Sequence, residues 1–329
     1  MNSSPSDAFH TLSPDTVLDA LESIGLFSDG RLLALNSYEN RVYQVGIEDA
    51  APIVVKFYRP SRWTDAAIEE EHRFVRQLHE QEIPVVPPQR MHGRTLHHHH
   101  NHRFAVFVRQ GGRAPSLDQA GTLTWIGRFL GRIHAVGATQ SFVERPTLDQ
   151  HSFGIQARNW LLQSGLIPGE LLESWSVISQ QALDAVQRCY QRAGDVRLLR
   201  LHGDCHIGNL LWTDAGPHFV DFDDSRTGPA LQDLWMLLSG ERHEMVQQLT
   251  ELLEGYEDFC EFDQRELYLL EALRTLRLLH YSAWIGMRWD DPAFPAAFPW
   301  FGTVRYWQDR ILELREQVAL MDEAPLWPV

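Results

Sequence analysis

The sequence predicts an α+β fold of two lobes: a small, strand-rich lobe over residues 1–109, a hinge at 110–113, and a larger, mostly helical lobe over 114–329. Three observations lead there. Short β-prone runs gather at 41–45, 52–58 and 104–108. Gln110-Gly111-Gly112-Arg113 then offers adjacent glycines, whose wide conformational freedom suits a pivot. Beyond it, apolar residues recur at helical spacing: Leu123, Ile126, Leu130 and Ile133; Trp175, Ile178, Ala182 and Val186; and Val304, Trp307, Ile311, Leu314 and Val318.

The remaining elements follow in order. Ser13-Pro14-Asp15 starts a helix, with Ser at the cap and Pro in the first turn, and Val17, Leu21 and Ile24 form a stripe that stops at Gly25. A helix over 64–82 carries Ile68, Val75 and Leu78 on one face. In the larger lobe Leu198-Leu199-Arg200-Leu201 reads as a strand, and residues 202–208 as a loop. Leu210-Leu211-Trp212 and Phe219-Val220 flank the turn signal Thr213-Asp214-Ala215-Gly216-Pro217, so a hairpin has Asn209 at its entrance and Asp221 at its exit. Asp233 is expected to cap a helix over 234–238 and to brace the loop before it. The segment 289–300 is too rich in proline for a helix and reads as an apolar-aromatic loop.

Bulk properties narrow the class. No apolar run approaches the ~20 residues that cross a bilayer, and residues 1–8 lack the charged and apolar regions of an export signal. Three cysteines without paired spacing fit a reducing compartment, so a cytoplasmic enzyme is expected. Cys205, inside the loop, reads as a small filler. A formal charge of −15 argues against broad nucleic-acid binding, which needs a basic footprint.

The chemistry concentrates in Leu201-His202-Gly203-Asp204-Cys205-His206-Ile207-Gly208-Asn209 and in Phe219-Val220-Asp221-Phe222-Asp223. An acid and an amide five residues apart, then a second acid after the next strand, are the parts that phosphoryl transfer needs. Asp204 can orient an attacking hydroxyl and accept its proton. Asn209 and Asp221 can give hard oxygen ligands to Mg²⁺ bound to ATP. Asp and Asn often satisfy backbone groups in tight loops, but an ordinary turn does not need this whole set.

His-Gly-Asp-x-His-x-x-Asn-x-Leu followed by a strand ending in Asp resembles the aminoglycoside phosphotransferase and choline kinase branch of the protein-kinase-like fold. Asn36-Ser37-Tyr38-Glu39-Asn40-Arg41-Val42-Tyr43, Val54-Val55-Lys56-Phe57-Tyr58-Arg59-Pro60 and Asp290-Asp291-Pro292-Ala293-Phe294-Pro295 resemble a bacterial stress-response subgroup of it. The resemblance spans residues 13–307. It implies a two-lobed, kinase-like fold and an ATP-dependent serine/threonine protein kinase. The same site would serve a small-molecule kinase acting on an aminoglycoside, choline or a similar alcohol. A third reading is a nucleotide-binding pseudokinase scaffold, against which intact Lys56, Asp204, Asn209 and Asp221 speak.

Further residues join the expected site. Lys56 interrupts the apolar run Ile53-Val54-Val55-Lys56-Phe57, and a buried ammonium needs anions, which ATP phosphates and a helix carboxylate supply. Glu71 lies on the inward face of the 64–82 helix and is chosen to clamp Lys56, with Glu70 as the alternative. The phosphate-covering loop has no G-x-G-x-x-G; Asn36 to Asn40 take its place, with Ser37 able to reach a phosphate and a candidate for self-phosphorylation. Only eleven residues separate Asp221 from Asp233, too few for a long activation segment. His97-His98-His99-His100-Asn101-His102 reads as a solvated loop without a catalytic metal. The expected partners are ATP and protein serine or threonine hydroxyls, with neither nucleic acid nor membrane.

Overall fold

The computed structural model describes residues 9–327; the polar stretch 1–8, where no export signal is expected, lies outside it. The chain forms two compact units. The first comprises Met1–Pro115, Val143–Arg145 and Gly208–Asp223, and the second Ser116–Phe142, Pro146–Ile207 and Asp224–Val329. A single break at 110–113, as read from the sequence, therefore does not describe the units. Backbone pairing explains the exchange: the Trp212 N–H donates to the Arg113 carbonyl at 2.6 Å, and the Phe219 N–H to that of Pro84 at 2.8 Å.

In the first unit helix α1 (Pro14–Glu22) starts where its cap predicts, with the Ser13 hydroxyl accepting from the Thr16 N–H at 3.1 Å. Strands β1 (Ser28–Leu35), β2 (Arg41–Ile47) and β3 (Ile53–Phe57), helix α2 (Asp65–Glu80), and strands β4 (His97–His99) and β5 (His102–Val108) follow. The strands form one antiparallel sheet in the order β1-β2-β3-β5-β4. Side chains alternate across β3. Val55 and Phe57 join the core under Val17 and Leu21, and Lys56 points to the face where Ala105 packs with Ile68 of α2. Strands Leu210–Thr213 and Gly216–Phe219 make the expected hairpin.

The histidine run is corrected here. His97–His99 is a strand paired with His102–Val108, and His97 and His102 are buried. The His102 ring bonds the Thr11 hydroxyl at 3.1 Å, and His98 pairs with Asp65 at 2.9 Å. No group of three or more His, Cys, Asp or Glu residues suited to a metal ion occurs among the described residues.

The second unit is helical around two cores. Helix α3 (Thr122–Gly137) packs against the helix Arg242–Tyr256 so closely that a Cβ on Gly127 would lie 2.0 Å from the Leu252 carbonyl oxygen. Trp175 and Trp307 meet edge to face in the other core, built on helices Gly169–Ala193, Leu270–Gly286 and Val304–Leu320. The proline-rich segment does hold one short helix, Ala293–Ala297, because Pro292 stands at its N-cap, where no N–H is required. No helix among the described residues is long and apolar enough to cross a membrane.

Candidate active site

Lys56 is buried on β3, and its ammonium lies 2.7 Å from the Asp221 carboxylate. Burial alone would lower its pKa, but the charges of Asp221, Asp223 and Glu71 outweigh that and hold it above the ordinary lysine value. Asp221 takes a left-handed backbone (φ 61°), which aspartate tolerates better than most residues. Its side chain is 51% exposed. The Val220 N–H donates to the Asn209 carbonyl at 3.0 Å, so the hairpin brings the backbones of Asn209 and Asp221 together as its turn predicts. Phe222 is buried with its ring edge against Phe74 of α2.

Asp223 is a site residue that the sequence reading passed over. Its buried carboxylate accepts from the Asn40 amide at 3.0 Å and pairs with Arg62. The Asn40 oxygen in turn accepts the Arg59 N–H at 3.0 Å, and the Arg59 guanidinium donates to the Glu39 carbonyl at 2.8 Å. These contacts pin the loop between β1 and β2 on which Ser37 sits, half-buried.

The expected Lys56–Glu71 clamp is not the contact found. Glu71 pairs instead with Arg145 at 2.6 Å, both side chains buried, and Glu70 accepts backbone N–H groups of residues 143–145. Glu71 and Lys56 still feel each other's charge. Burial pushes the Glu71 carboxyl up, against the pull of Arg145 and Lys56. No apolar periodicity surrounds Arg145, and the Pro146 that follows it marks only a break in the chain, so sequence reasoning had nothing to select the arginine by.

In the second unit the loop around Asp204 hangs on Asp233. The fully buried Asp233 carboxylate accepts the His202 and Gly203 N–H groups, each at 2.8 Å. It also accepts from His134 Nε2 at 2.9 Å, since a carboxylate only accepts, and His134 Nδ1 lies 2.9 Å from the Tyr256 hydroxyl. The expected brace is therefore there, but the expected cap is not: Asp233 lies inside the helix Leu231–Trp235. Gly203 has φ 88°, and a Cβ there would lie 2.1 Å from the Asp224 carbonyl oxygen, so no arginine fits before Asp204. Asp204 meets Arg277 at 2.8 Å and His206 at 3.4 Å. Burial pushes its carboxyl up, but His206 and Arg277 more than offset this and hold it below the ordinary carboxylate value. Cys205 is buried, as a filler should be.

Residues 31–270 match the phosphotransferase enzyme family. Over 318 residues the chain is 46% identical to stress response kinase A of Escherichia coli strain K12, covering 97% of this chain and 96% of that protein. It is 44% identical, with the same coverage, to serine/threonine protein kinase RdoA of Salmonella typhimurium strain LT2. Among solved structures, amicoumacin kinase hAmiN superposes with a TM-score of 0.73 at 18% identity, over 96% of this chain and 95% of that one. A microcompartment-associated aminopropanol kinase gives 0.70 at 20%, over 94% and 97%. These two structures share the kinase-like α+β fold expected from the sequence. The chain belongs to the phosphotransferase enzyme family, as an ATP-dependent kinase related throughout its length to stress response kinase A.

Proposed function

We propose that the protein transfers the γ-phosphoryl group of ATP to serine or threonine hydroxyls of proteins in the cytoplasm. The observation that carries the reading is the buried Lys56 held 2.7 Å from Asp221, at the exit of the hairpin that Asn209 enters. Lys56 neutralises the non-transferred phosphates. Asn209 and Asp221 would hold Mg²⁺: an amide and a half-exposed carboxylate are hard oxygen donors suited to it. When bound, the ion supplies charge neutralisation on the phosphates. Asp204, ionised at neutral pH, orients the acceptor hydroxyl and takes its proton as the hydroxyl oxygen bonds to the γ-phosphorus. The bond from that phosphorus to the bridging oxygen breaks in line, and ADP leaves with the bonding electrons. Glu71 acts on Lys56 through charge while Arg145 holds it in place.

The protein acceptor rests on the names of the full-length relatives, and Ser37, on the pinned loop, is the proposed site of self-phosphorylation. The test is incubation with Mg-ATP and a generic basic protein, followed by phosphosite mapping of acceptor and enzyme. Phosphoserine or phosphothreonine on the acceptor is expected, with Ser37 modified in the enzyme. Robust turnover of an amino alcohol without any phosphoprotein would overturn the choice in favour of a small-molecule acceptor, which the fold also accommodates.

A further inference from the structure

Residues Val143–Arg145 belong to the first unit although the chain on either side belongs to the second. What holds them is unusually complete. The Glu70 carboxylate accepts the N–H groups of Val143 at 2.8 Å, Glu144 at 2.9 Å and Arg145 at 2.8 Å. The Arg145 side chain is fully buried and spends its donors on three different targets. Nε donates to the Ala67 carbonyl in the first turn of α2 at 3.0 Å, Nη1 to the Asp223 carbonyl at 2.8 Å, and Nη2 to the Glu71 carboxylate at 2.6 Å. The guanidinium also lies 4.4 Å over the ring of Trp63. One planar fork thus ties α2 to the backbone two residues after Asp221.

We propose that Arg145 is a positioning residue for phosphoryl transfer, setting the Asp221–Asp223 segment against α2 so that the Asp221 carboxylate is presented to the metal–nucleotide. This rests on the reading of Asp221 as a metal ligand. Arg145 touches neither reactant; it acts through the carbonyl of Asp223 and the left-handed turn at Asp221. Lysine can keep the charge contact with Glu71, but a single ammonium cannot reproduce three donors in a fixed plane.

The readout is calorimetric binding of ATP with Mg²⁺ and with EDTA, alongside thermal unfolding and phosphotransfer rates. Arg145→Lys and Arg145→Met are expected to reduce the Mg²⁺-dependent gain in ATP affinity by about tenfold, with ATP binding in EDTA moved less than threefold. Leu21→Ala, in the core on the opposite face of the sheet, supplies a stability-only comparison. It should lower the melting temperature and leave the Mg²⁺ gain intact. A folded Arg145→Lys protein with the wild-type gain would overturn the inference. If both Arg145 variants fail to fold, Trp63→Leu made in an Arg62→Met background decides: Arg62 shares the aromatic platform, so in that background the ring serves Arg145 alone, and a gain reduced about threefold relative to Arg62→Met supports the role while an unchanged gain refutes it. Asp221→Ala separates the two levels. If it too leaves the gain untouched, the metal reading fails; if it abolishes the gain and Arg145→Lys does not, only the role of Arg145 falls.

Discussion

The two units hold their functional residues in opposite ways. In the second, one buried carboxylate, Asp233, gathers two consecutive N–H groups and a histidine, so two donors of the loop before Asp204 end on the same acceptor. In the first, Glu70 gathers three N–H groups in the same manner, but Lys56, Glu71, Arg145, Asp221 and Asp223 share charge among themselves, and Asn40, Arg59 and Arg62 extend the set. Removing one member of a shared set leaves others to relax into the gap. Removing the only acceptor leaves buried donors with nothing to bind. The difference separates residues whose loss unfolds from residues whose loss detunes.

The largest expected effect lies in catalysis. Asp204→Asn should lower phosphotransfer by ~10²–10⁴, the range for losing a general base, while Mg-ATP affinity stays within a few-fold. Asp221→Ala should weaken both, since it acts on the nucleotide. Calorimetry with and without Mg²⁺, paired with turnover, checks the contrast; wild-type turnover in Asp204→Asn would sink the assignment. The pH profile sharpens it. Asp204 must be ionised to accept a proton, and His206 and Arg277 hold its pKa below the ordinary carboxylate value, so its own protonation should not limit the rate near neutral pH.

Next comes stability, where the two kinds of scaffold part most clearly. Asp233→Ala strands the His202 and Gly203 N–H groups and the His134 ring in a fully buried place, and should cost about 3–5 kcal/mol. Asn40→Ala also removes two hydrogen bonds, but from a set in which Asp223 keeps Arg62. About 1–2 kcal/mol is expected there. Denaturant unfolding of both variants measures the gap, and equal losses would break the comparison.

The same contrast explains what could be read from the sequence. His202, Gly203, Asp204, Asn209 and Asp221 lie within twenty residues as one recognisable pattern of acids, an amide and a glycine, and the hairpin that sets Asn209 beside Val220 was marked by its turn residues. Lys56 was legible because a charge in an apolar strand demands partners. Arg145 was not: it comes from an aperiodic stretch, and its partners Glu71 and Asp223 stand over seventy residues away on either side. Glu71 was placed correctly on the inward face of α2, yet its nearest cation depends on tertiary packing that helical periodicity does not encode. Strand β1 escaped notice because most of it is exposed and no alternation marks it. Strand β4 escaped because histidines carry little β signal.

The smallest expected effect tests whether the units differ in acid sensitivity as they do in wiring. Each holds a histidine whose surroundings oppose its charging, His72 in the first and His280 in the second. His72 bonds Tyr58 and Thr95, and burial, with Lys56 and Arg145 nearby, pushes its pKa down to about 3. His280 stacks on Phe153 at 4.0 Å, and burial, with Arg226, Arg288 and Arg277 outweighing Asp224, also brings it to about 3. An unfolded histidine titrates near ~6.5, so the unfolded chain binds protons that the folded one refuses. Stability from each site is therefore complete above ~pH 6.5 and falls as the pH drops toward 3. One pH unit below that point, each should have cost about 1.4 kcal/mol. His72→Gln and His280→Gln lose the proton-binding group in both states, so each should flatten the decline between pH 6.5 and 5 by about one proton. The hydrogen-bonded His72 should also show a constant loss at pH 8, which the stacked His280 should show less. Urea unfolding at several pH values measures slope and offset separately. A slope unchanged by His280→Gln would mean that its ring takes up a proton in the folded chain, with Asp224 rather than burial deciding its charge.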